Sequence, residues 1–421
     1  MFRYPIWSTW ARYKVDVNQS AVLAYADEIV QYGFSNTCEA ATTTTKTTCG
    51  QIEIDDKYTS HYGDADFDTA KFPDPRGLVD ALHARGFRVT AWTHPFANID
   101  SRAFREGIAG NYWMRESSGR VPALVQWWNG IGAVLDVTNE PAADWYVSRL
   151  ERLRRDYGLD SFKFDAGEVA YLPYGFNATL PLPDPNLYCT RYVGLAAAAF
   201  KRQIEVRCGH RSQHQPIFVR MMDKDSNWSY NNGLLTVIPT ALLMGLLGYP
   251  FVLPDMIGGN AYAEGDLHAV YRPERELFIR WTQLTAYLPA MQFSVAPWQY
   301  DDEVVAIARE MVRVHEEVVT PKILGLTGEV LSKGYPIIRP LWWIAPTDRE
   351  AQQIDSQFLI GDDFLVAPVL SKNATKRDVY LPPGRWKEGL RGQKILDGGR
   401  WLRDYPVLLS EVATFQKAEA P

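Results

Sequence analysis

The stretch Ser161-Phe162-Lys163-Phe164-Asp165-Ala166-Gly167-Glu168 decides the fold. Before it, Arg154-Arg155-Asp156-Tyr157-Gly158 reads as the end of a helix closed by glycine, so a short buried strand should follow. Alternate residues of a strand face opposite ways, which sets Lys163 and Asp165 against Phe162 and Phe164. In a parallel barrel the phenylalanines would pack under the outer helices. The two charges would then point inward at the carboxyl end of the strand, where such barrels carry their chemistry. An aspartate beside a lysine stays ionised, which makes Asp165 a candidate nucleophile. The plainer alternative is a structural Lys163–Asp165 ion pair, although Ala166-Gly167 leaves room above the carboxylate that such a pair does not need.

Outward from this strand the chain alternates strand and helix. Candidate strands are Pro5 to Trp10, Gln51 to Asp55, Phe87 to Pro95, Pro216 to Met222, Tyr249 to Asp255, Pro289 to Phe293 and Pro336 to Trp342. Candidate helices include 20–32, 75–85, 140–157, 187–206, 233–247, 273–286 and 301–318. Eight alternations are the pattern of a (β/α)8 TIM barrel, an α/β fold, and this reading places the barrel at residues 1–362. After residue 362, short runs between Gly and Pro turns predict a small C-terminal antiparallel β domain over 363–421. The threonine-rich run 37–49 interrupts the approach to the second strand as a low-complexity insertion. The excursion from Asn98 to Asn129, with Trp113, Trp127 and Trp128, is long enough to be a binding element.

Composition narrows the chemistry. With 421 residues and 46% hydrophobic content, a large core is affordable. The net charge of −6 with dispersed Lys and Arg argues against a nucleic-acid or anionic-membrane partner. Fourteen tryptophans tilt the reading toward a carbohydrate cleft, where indole faces meet the apolar faces of sugars. No run of 18 apolar residues is present to predict a membrane segment. The start at Phe2-Arg3-Tyr4-Pro5 falls inside apparently ordered structure, as expected of the catalytic part of a longer protein. Sequons at Asn18, Asn177, Asn227 and Asn373 would suit the secretory pathway or the cell exterior. Cys38 with Cys49, or Cys189 with Cys208, could pair in an oxidising compartment, and spacing does not decide it. Only His210 and His214 have metal-ligand spacing, in a polar loop that reads as a turn, so neither a metal nor another cofactor is expected.

Carboxylates gather at strand ends: Glu53, Asp55 and Asp56, then Asp165 and Glu168, then Asp223 and Asp225, then Asp255. Such a mouth suits either glycoside hydrolysis by two carboxyls or a divalent-metal site, and the scarcity of His and Asn at these ends favours the first. Retaining hydrolysis needs one ionised carboxylate and one protonated carboxyl. Asp165 takes the first role and Asp223, just past the strand carrying Arg220, the second; Asp225 is its rival.

These residues resemble glycoside hydrolase family 31, and within it the myogenesis-regulating glycosidase branch. The resemblance runs through Ile52-Glu53-Ile54-Asp55-Asp56, Tyr62-Gly63-Asp64, Trp127-Trp128-Asn129-Gly130, Phe162 to Glu168, Asp223-Lys224-Asp225-Ser226, Leu253 to Asn260 and Ile338 to Trp343. It implies a retaining α-glycosidase acting on terminal sugars, with nucleophile Asp165, acid/base Asp223 and a carbohydrate substrate; oligomerisation is left open. Sugar-binding positions carried over are Asp55, Asp56, Trp92, Trp128, Arg220 and Asp255, with Lys163 added from the opening strand. The branch is closer to α-galactosidases than to the family's glucosidases. The wider family's Gly-Asp-Asn and Arg-Asn-His segments are replaced here by Asn231-Asn232-Gly233 and Gln292-Phe293-Ser294, which strengthens the galactose reading. The family's N-terminal β-sandwich is expected to be missing ahead of Phe2.

Overall fold

The computed structural model describes residues 2–34, 50–201, 204–262 and 270–418. The insertion 37–49, with Cys38 and Cys49, lies outside the described residues. The fold is a (β/α)8 barrel followed by an antiparallel β domain. The chain divides into two compact units, residues 7–220 and residues 1–6 with 221–421.

The barrel strands are β1 (Ile6–Ser8), β2 (Gly50–Ile54), β3 (Phe87–Thr93), β4 (Ser161–Phe164), β5 (Glu205–Val206), β6 (Phe218–Arg220), β7 (Val252–Leu253) and β8 (Gln292–Phe293). From β2 to β6 each strand pairs in parallel with the next, with Glu53 opposite Thr90, Trp92 opposite Lys163, and Lys163 opposite Glu205. In the other unit, a parallel bridge joins Met256, just past β7, to Gln292 of β8.

Local sequence explains why β4 starts where it does. The preceding helix α1 (Glu140–Tyr157) has Pro141 in its first turn and Arg154 and Arg155 in its last. Gly158 takes a left-handed conformation, φ 81°, and donates its N–H to the Arg154 carbonyl, which ends the helix. Phe162 then packs on Phe200 at 5.1 Å, and Phe164 packs on Phe200 at 5.6 Å and on Tyr192 at 6.0 Å, both on helix α2 (Leu187–Phe200). The outward phenylalanines and inward charges of the sequence reading are thus present.

Two expectations are corrected. The stretch 187–206 is not one helix: Lys201 turns to φ 59° after Phe200, and Glu205–Val206 becomes a barrel strand. The run Pro336 to Trp342 is not a barrel strand, because Ile338–Arg339 pairs antiparallel with Phe358–Ile360 in the C-terminal sheet. An apolar run bounded by prolines shows that a segment is buried, not which sheet it joins. That six-stranded sheet, with the two-stranded Lys376–Leu381 and Arg400–Pro406 ribbon, closes on a core of Leu359, Leu365, Val379, Trp386 and Phe415.

The excursion after β3 is structured. It holds the helix Arg102–Gly110 and a three-stranded sheet of Phe96–Asn98, Leu124–Trp127 and Gly130–Val134. Trp127 sits at 4.5 Å from Phe96 and 4.7 Å from His94, so this sheet leans its indole on the end of β3.

Candidate active site

Asp165 follows β4 and is 7% exposed. Its Oδ1 meets the Arg207 guanidinium at 3.1 Å and accepts from Arg220 at 3.2 Å, while its Oδ2 accepts from the Trp92 indole N–H at 2.8 Å. Burial alone would push this carboxyl up. The cations of Arg207, Arg220 and Lys163, with the indole hydrogen bond, outweigh burial and hold it well below the usual carboxylate range. Asp165 therefore stays ionised in a nearly dry position.

The backbone beyond it is tightly held. Ala166 and Gly167 both have positive φ, 59° and 96°, and Tyr192 donates its hydroxyl to the Asp165 carbonyl at 3.1 Å. A Cβ on Gly167 would lie 2.6 Å from the Tyr192 ring and 2.7 Å from Cys208 Sγ. The small residue is thus required by packing against Tyr192 and Cys208, a reason the sequence reading did not give.

Lys163 is not the ion-pair partner of Asp165. Its ammonium bonds Asp55 at 2.8 Å and Glu53 at 3.2 Å, and these two anions keep it charged against the effect of burial. The reason is geometric. Residues i and i+2 of a strand share a face but stand roughly 6.5 Å apart, whereas neighbouring strands run roughly 4.8 Å apart. Cations for Asp165 accordingly come from Arg207, just past β5, and Arg220 of β6, and Lys163 acts on it as the third charge.

Arg207 is the residue the sequence reading missed. Besides Asp165 it engages Glu168 through Nε at 2.6 Å and a second nitrogen at 3.1 Å, and its guanidinium lies 5.1 Å from the Trp128 ring centre. The alternation Ile204-Glu205-Val206-Arg207-Cys208 was the available signal for an inward-facing Glu205 and Arg207. Glu205 is fully buried, with a carboxyl pushed well up by burial and by the nearby Glu53.

The remaining predicted positions of this unit join the same network. Asp55 accepts from the Asp56 N–H at 2.8 Å. Asp56 accepts from Asn129 at 3.3 Å, and burial beside Asp55 pushes its carboxyl up to about 7. Trp128 stands edge-on to Phe96 and Tyr171, at 5.9 and 5.3 Å. His94 was also overlooked. Burial lowers its pKa to about 3, and its Nδ1 accepts from the Phe96 N–H at 3.2 Å, so the neutral ring keeps its proton on Nε2. Asp55, Asp56, Trp92, Lys163, Asp165 and Arg220 are thus buried and linked through a few shared partners, with Trp128 half-buried at the edge of the same array.

Asp223 and Asp255 belong to the other unit, where one loop ties them together. Asp255 Oδ2 accepts from the Lys224 N–H and from Asn260, each at 2.7 Å. Asp223 Oδ2 accepts from the Tyr262 hydroxyl at 2.7 Å, and Asn232 donates to the Asp223 carbonyl at 2.6 Å. Asp225 receives a longer bond, 3.4 Å, from Asn232.

His210 faces Asp184 at 3.2 Å and His214 meets Gln215. Among the described residues no group of three or more His, Cys, Asp or Glu is disposed to hold a metal ion. Cys189 and Cys208 are buried free thiols. Among the described residues no helix is long and apolar enough to cross a membrane.

Comparison with known proteins places this geometry. Residues 37–319 match the TIM-barrel domain of glycosyl hydrolases family 31, and residues 334–420 match the C-terminal domain of the same family. The chain is 49% identical over 416 residues to the myogenesis-regulating glycosidase of Mus musculus, covering 98% of this chain and 56% of the mouse protein. It is 33% identical over 342 residues to the SITS-binding protein of Tetronarce californica, covering 79% of this chain and 48% of that protein. The chain thus spans about half the length of these curated relatives. In structure it resembles a family 31 dextranase of Flavobacterium johnsoniae complexed with glucose, with a TM-score of 0.84 at 22% identity, covering 100% of this chain and 52% of the dextranase; that likeness concerns the fold alone.

Proposed function

Since the chain belongs to glycosyl hydrolase family 31, and within it to the myogenesis-regulating glycosidase branch, we propose that it is a retaining exo-α-glycosidase acting on terminal α-galactosides. The observation that carries the reading is Asp165, a buried carboxylate kept ionised by two guanidiniums and an indole N–H at the carboxyl end of a barrel strand. A carboxylate held ionised at neutral pH and fixed in place has its lone pair ready for attack on an anomeric carbon.

In this mechanism Asp165 attacks the anomeric carbon while Asp223 gives its proton to the departing glycosidic oxygen. Asp223 then takes a proton from water, and the resulting hydroxide releases the sugar from Asp165 with overall retention. Asp55, Asp56, Trp92, Trp128, Lys163, Arg220 and Asp255 are the proposed sugar-binding set. With its carboxyl pushed up to about 7, about half of Asp56 is protonated at neutral pH, and that form donates to a sugar hydroxyl as a carboxylate does not.

The galactose reading is supported by the branch and by Gln292-Phe293-Ser294 standing where the wider family has Arg-Asn-His. α-Glucosides and α-xylosides are the alternative substrates. A second reading is binding of sugar without hydrolysis; the relative named a SITS-binding protein carries a binding name, not a hydrolase name. Incubation with 4-nitrophenyl α-galactoside and α-glucoside, with and without chelator, separates these readings. A 2-deoxy-2-fluoro-α-galactosyl fluoride should add one glycosyl mass to Asp165. Binding with neither turnover nor covalent labelling would favour the second reading, and turnover abolished by chelator would overturn the two-carboxyl mechanism.

A further inference from the structure

We infer that Tyr262 is a positioning residue for Asp223, orienting its carboxyl and favouring the ionised form it takes once its proton has been given up. This inference rests on the proposed role of Asp223 as acid/base. Its basis is a ladder of bonds between the Asp223–Ser226 loop and the segment after β7. Asn260 donates its backbone N–H to the Lys224 carbonyl at 2.9 Å, and Ala261 donates to Ser226 Oγ at 3.0 Å. From the loop side, Lys224 donates its N–H to Asp255 at 2.7 Å.

Gly258 and Gly259, at φ 87° and 80°, let the two segments run this close: a Cβ on Gly259 would lie 2.9 Å from the Asp225 carbonyl carbon and the Ser226 nitrogen. The ladder ends on the Tyr262 hydroxyl, 2.7 Å from Asp223 Oδ2. Thirty-nine positions separate the two residues, so their meeting depends on this folded scaffold and not on a local turn.

The chemistry follows from donor rules. A phenol at neutral pH has one proton to give, and it gives it to the carboxylate form of Asp223 at Oδ2. The same bond favours the ionised form that Asp223 reaches after protonating the leaving group. Among the described residues up to Tyr262, the other charged groups on the two packed segments are Lys224, Asp225 and Asp255. The Lys224 ammonium reaches Thr236 at 2.9 Å, Asp225 accepts from Asn232, and Asp255 accepts from the Lys224 N–H and Asn260.

The test compares wild type, Tyr262→Phe and Asp223→Ala on a 4-nitrophenyl α-galactoside and on methyl α-galactoside, whose leaving group needs protonation. Tyr262→Phe should lower kcat on the methyl glycoside roughly 10- to 100-fold, the worth of one bond to a charged group, with little effect on the aryl glycoside. Its basic limb in kcat/KM should move to higher pH, because the ionised form has lost a donor. Fluorotyrosine at position 262, a stronger donor of the same shape, should move that limb to lower pH.

Equal losses on both substrates with an unmoved limb, or no loss at all, would overturn the inference. Asp223→Ala separates the two levels, since its aryl-glycoside activity should be rescued by azide. If that rescue succeeds and Tyr262→Phe still behaves as wild type, only the Tyr262 inference falls. If azide rescues nothing, the acid/base reading falls and this inference with it.

Discussion

Asp165 and Asp56 are both buried carboxyls past the ends of barrel strands, 7% and 2% exposed, yet their surroundings drive them in opposite directions. Asp165 has Arg207 and Arg220 against one oxygen and Trp92 against the other, and stays charged. Burial and the like charge of Asp55 push the Asp56 carboxyl up to about 7, against the weaker opposing effects of Tyr62, Asn129 and Lys57. The chain therefore assigns protonation by what faces each group from neighbouring strands, and burial by itself predicts nothing about charge.

The largest expected effect comes from removing the charged member of the comparison. Asp165→Asn keeps the shape and the Trp92 contact but removes the nucleophile, and should lower kcat on 4-nitrophenyl α-galactoside by roughly 10⁴-fold or more. Thermal unfolding of the variant should remain cooperative. Activity within tenfold of wild type would show that the ionised carboxylate is structural.

Next comes Lys163, whose ammonium bonds Glu53 and Asp55 and acts on Asp165 only through space. Lys163→Met leaves Glu53 and Asp55 buried without their shared partner, and breaking such a cluster costs about 3–5 kcal/mol. Urea unfolding reads this as a lowered midpoint. A change under 1 kcal/mol would mean that the two carboxyls already share a proton, which would place the ammonium's main effect on Asp165.

Much of this arrangement was legible. The alternation Phe162, Lys163, Phe164, Asp165 told which side chains enter the barrel, because period two is a property of the strand itself. It could not tell which charges meet. Those partners lie across strands, and register is settled by packing of the whole sheet. Glu205–Val206, only two residues long, was hidden behind a helix whose stop at Lys201 is a matter of φ and not of residue type. Arg207 was lost with it. Ile338–Arg339 was read correctly as buried and wrongly as barrel, since apolarity carries no record of strand direction. Asp223 came from its place just past the strand carrying Arg220, with the resemblance pointing to the same residue, and Tyr262 only from the structure.

The uncharged member of the comparison is tested by pH. Asp56 ionises near 4 in the unfolded chain and at about 7 when folded, so between these values the native state holds a proton the unfolded state has lost. Its contribution to stability is whole below about pH 4 and falls by about 1.4 kcal/mol per unit until about pH 7. Asp56→Asn removes that term, so wild type minus variant should decline across this window, by a few kcal/mol at most. Parallel stability profiles of the two proteins from pH 4 to 7 would place Asp56 among ordinary ionised carboxylates.

The smallest effect is the sharpest test of how Asp165 is held. Arg207→Lys keeps a positive charge but loses the fork that meets Asp165 on one nitrogen and Glu168 on two others. If charge alone maintained Asp165, the variant would lose less than about threefold in kcat/KM, with an unmoved acid limb. The geometry leads to a different expectation. A single ammonium cannot serve both carboxylates with the same directness, and its loosened hold raises the Asp165 pKa. The expected loss is about tenfold, near 1.4 kcal/mol, with the acid limb displaced toward neutral pH. Glu168→Gln combined with Arg207→Lys should recover part of that loss, because the lysine then has only one carboxylate to answer.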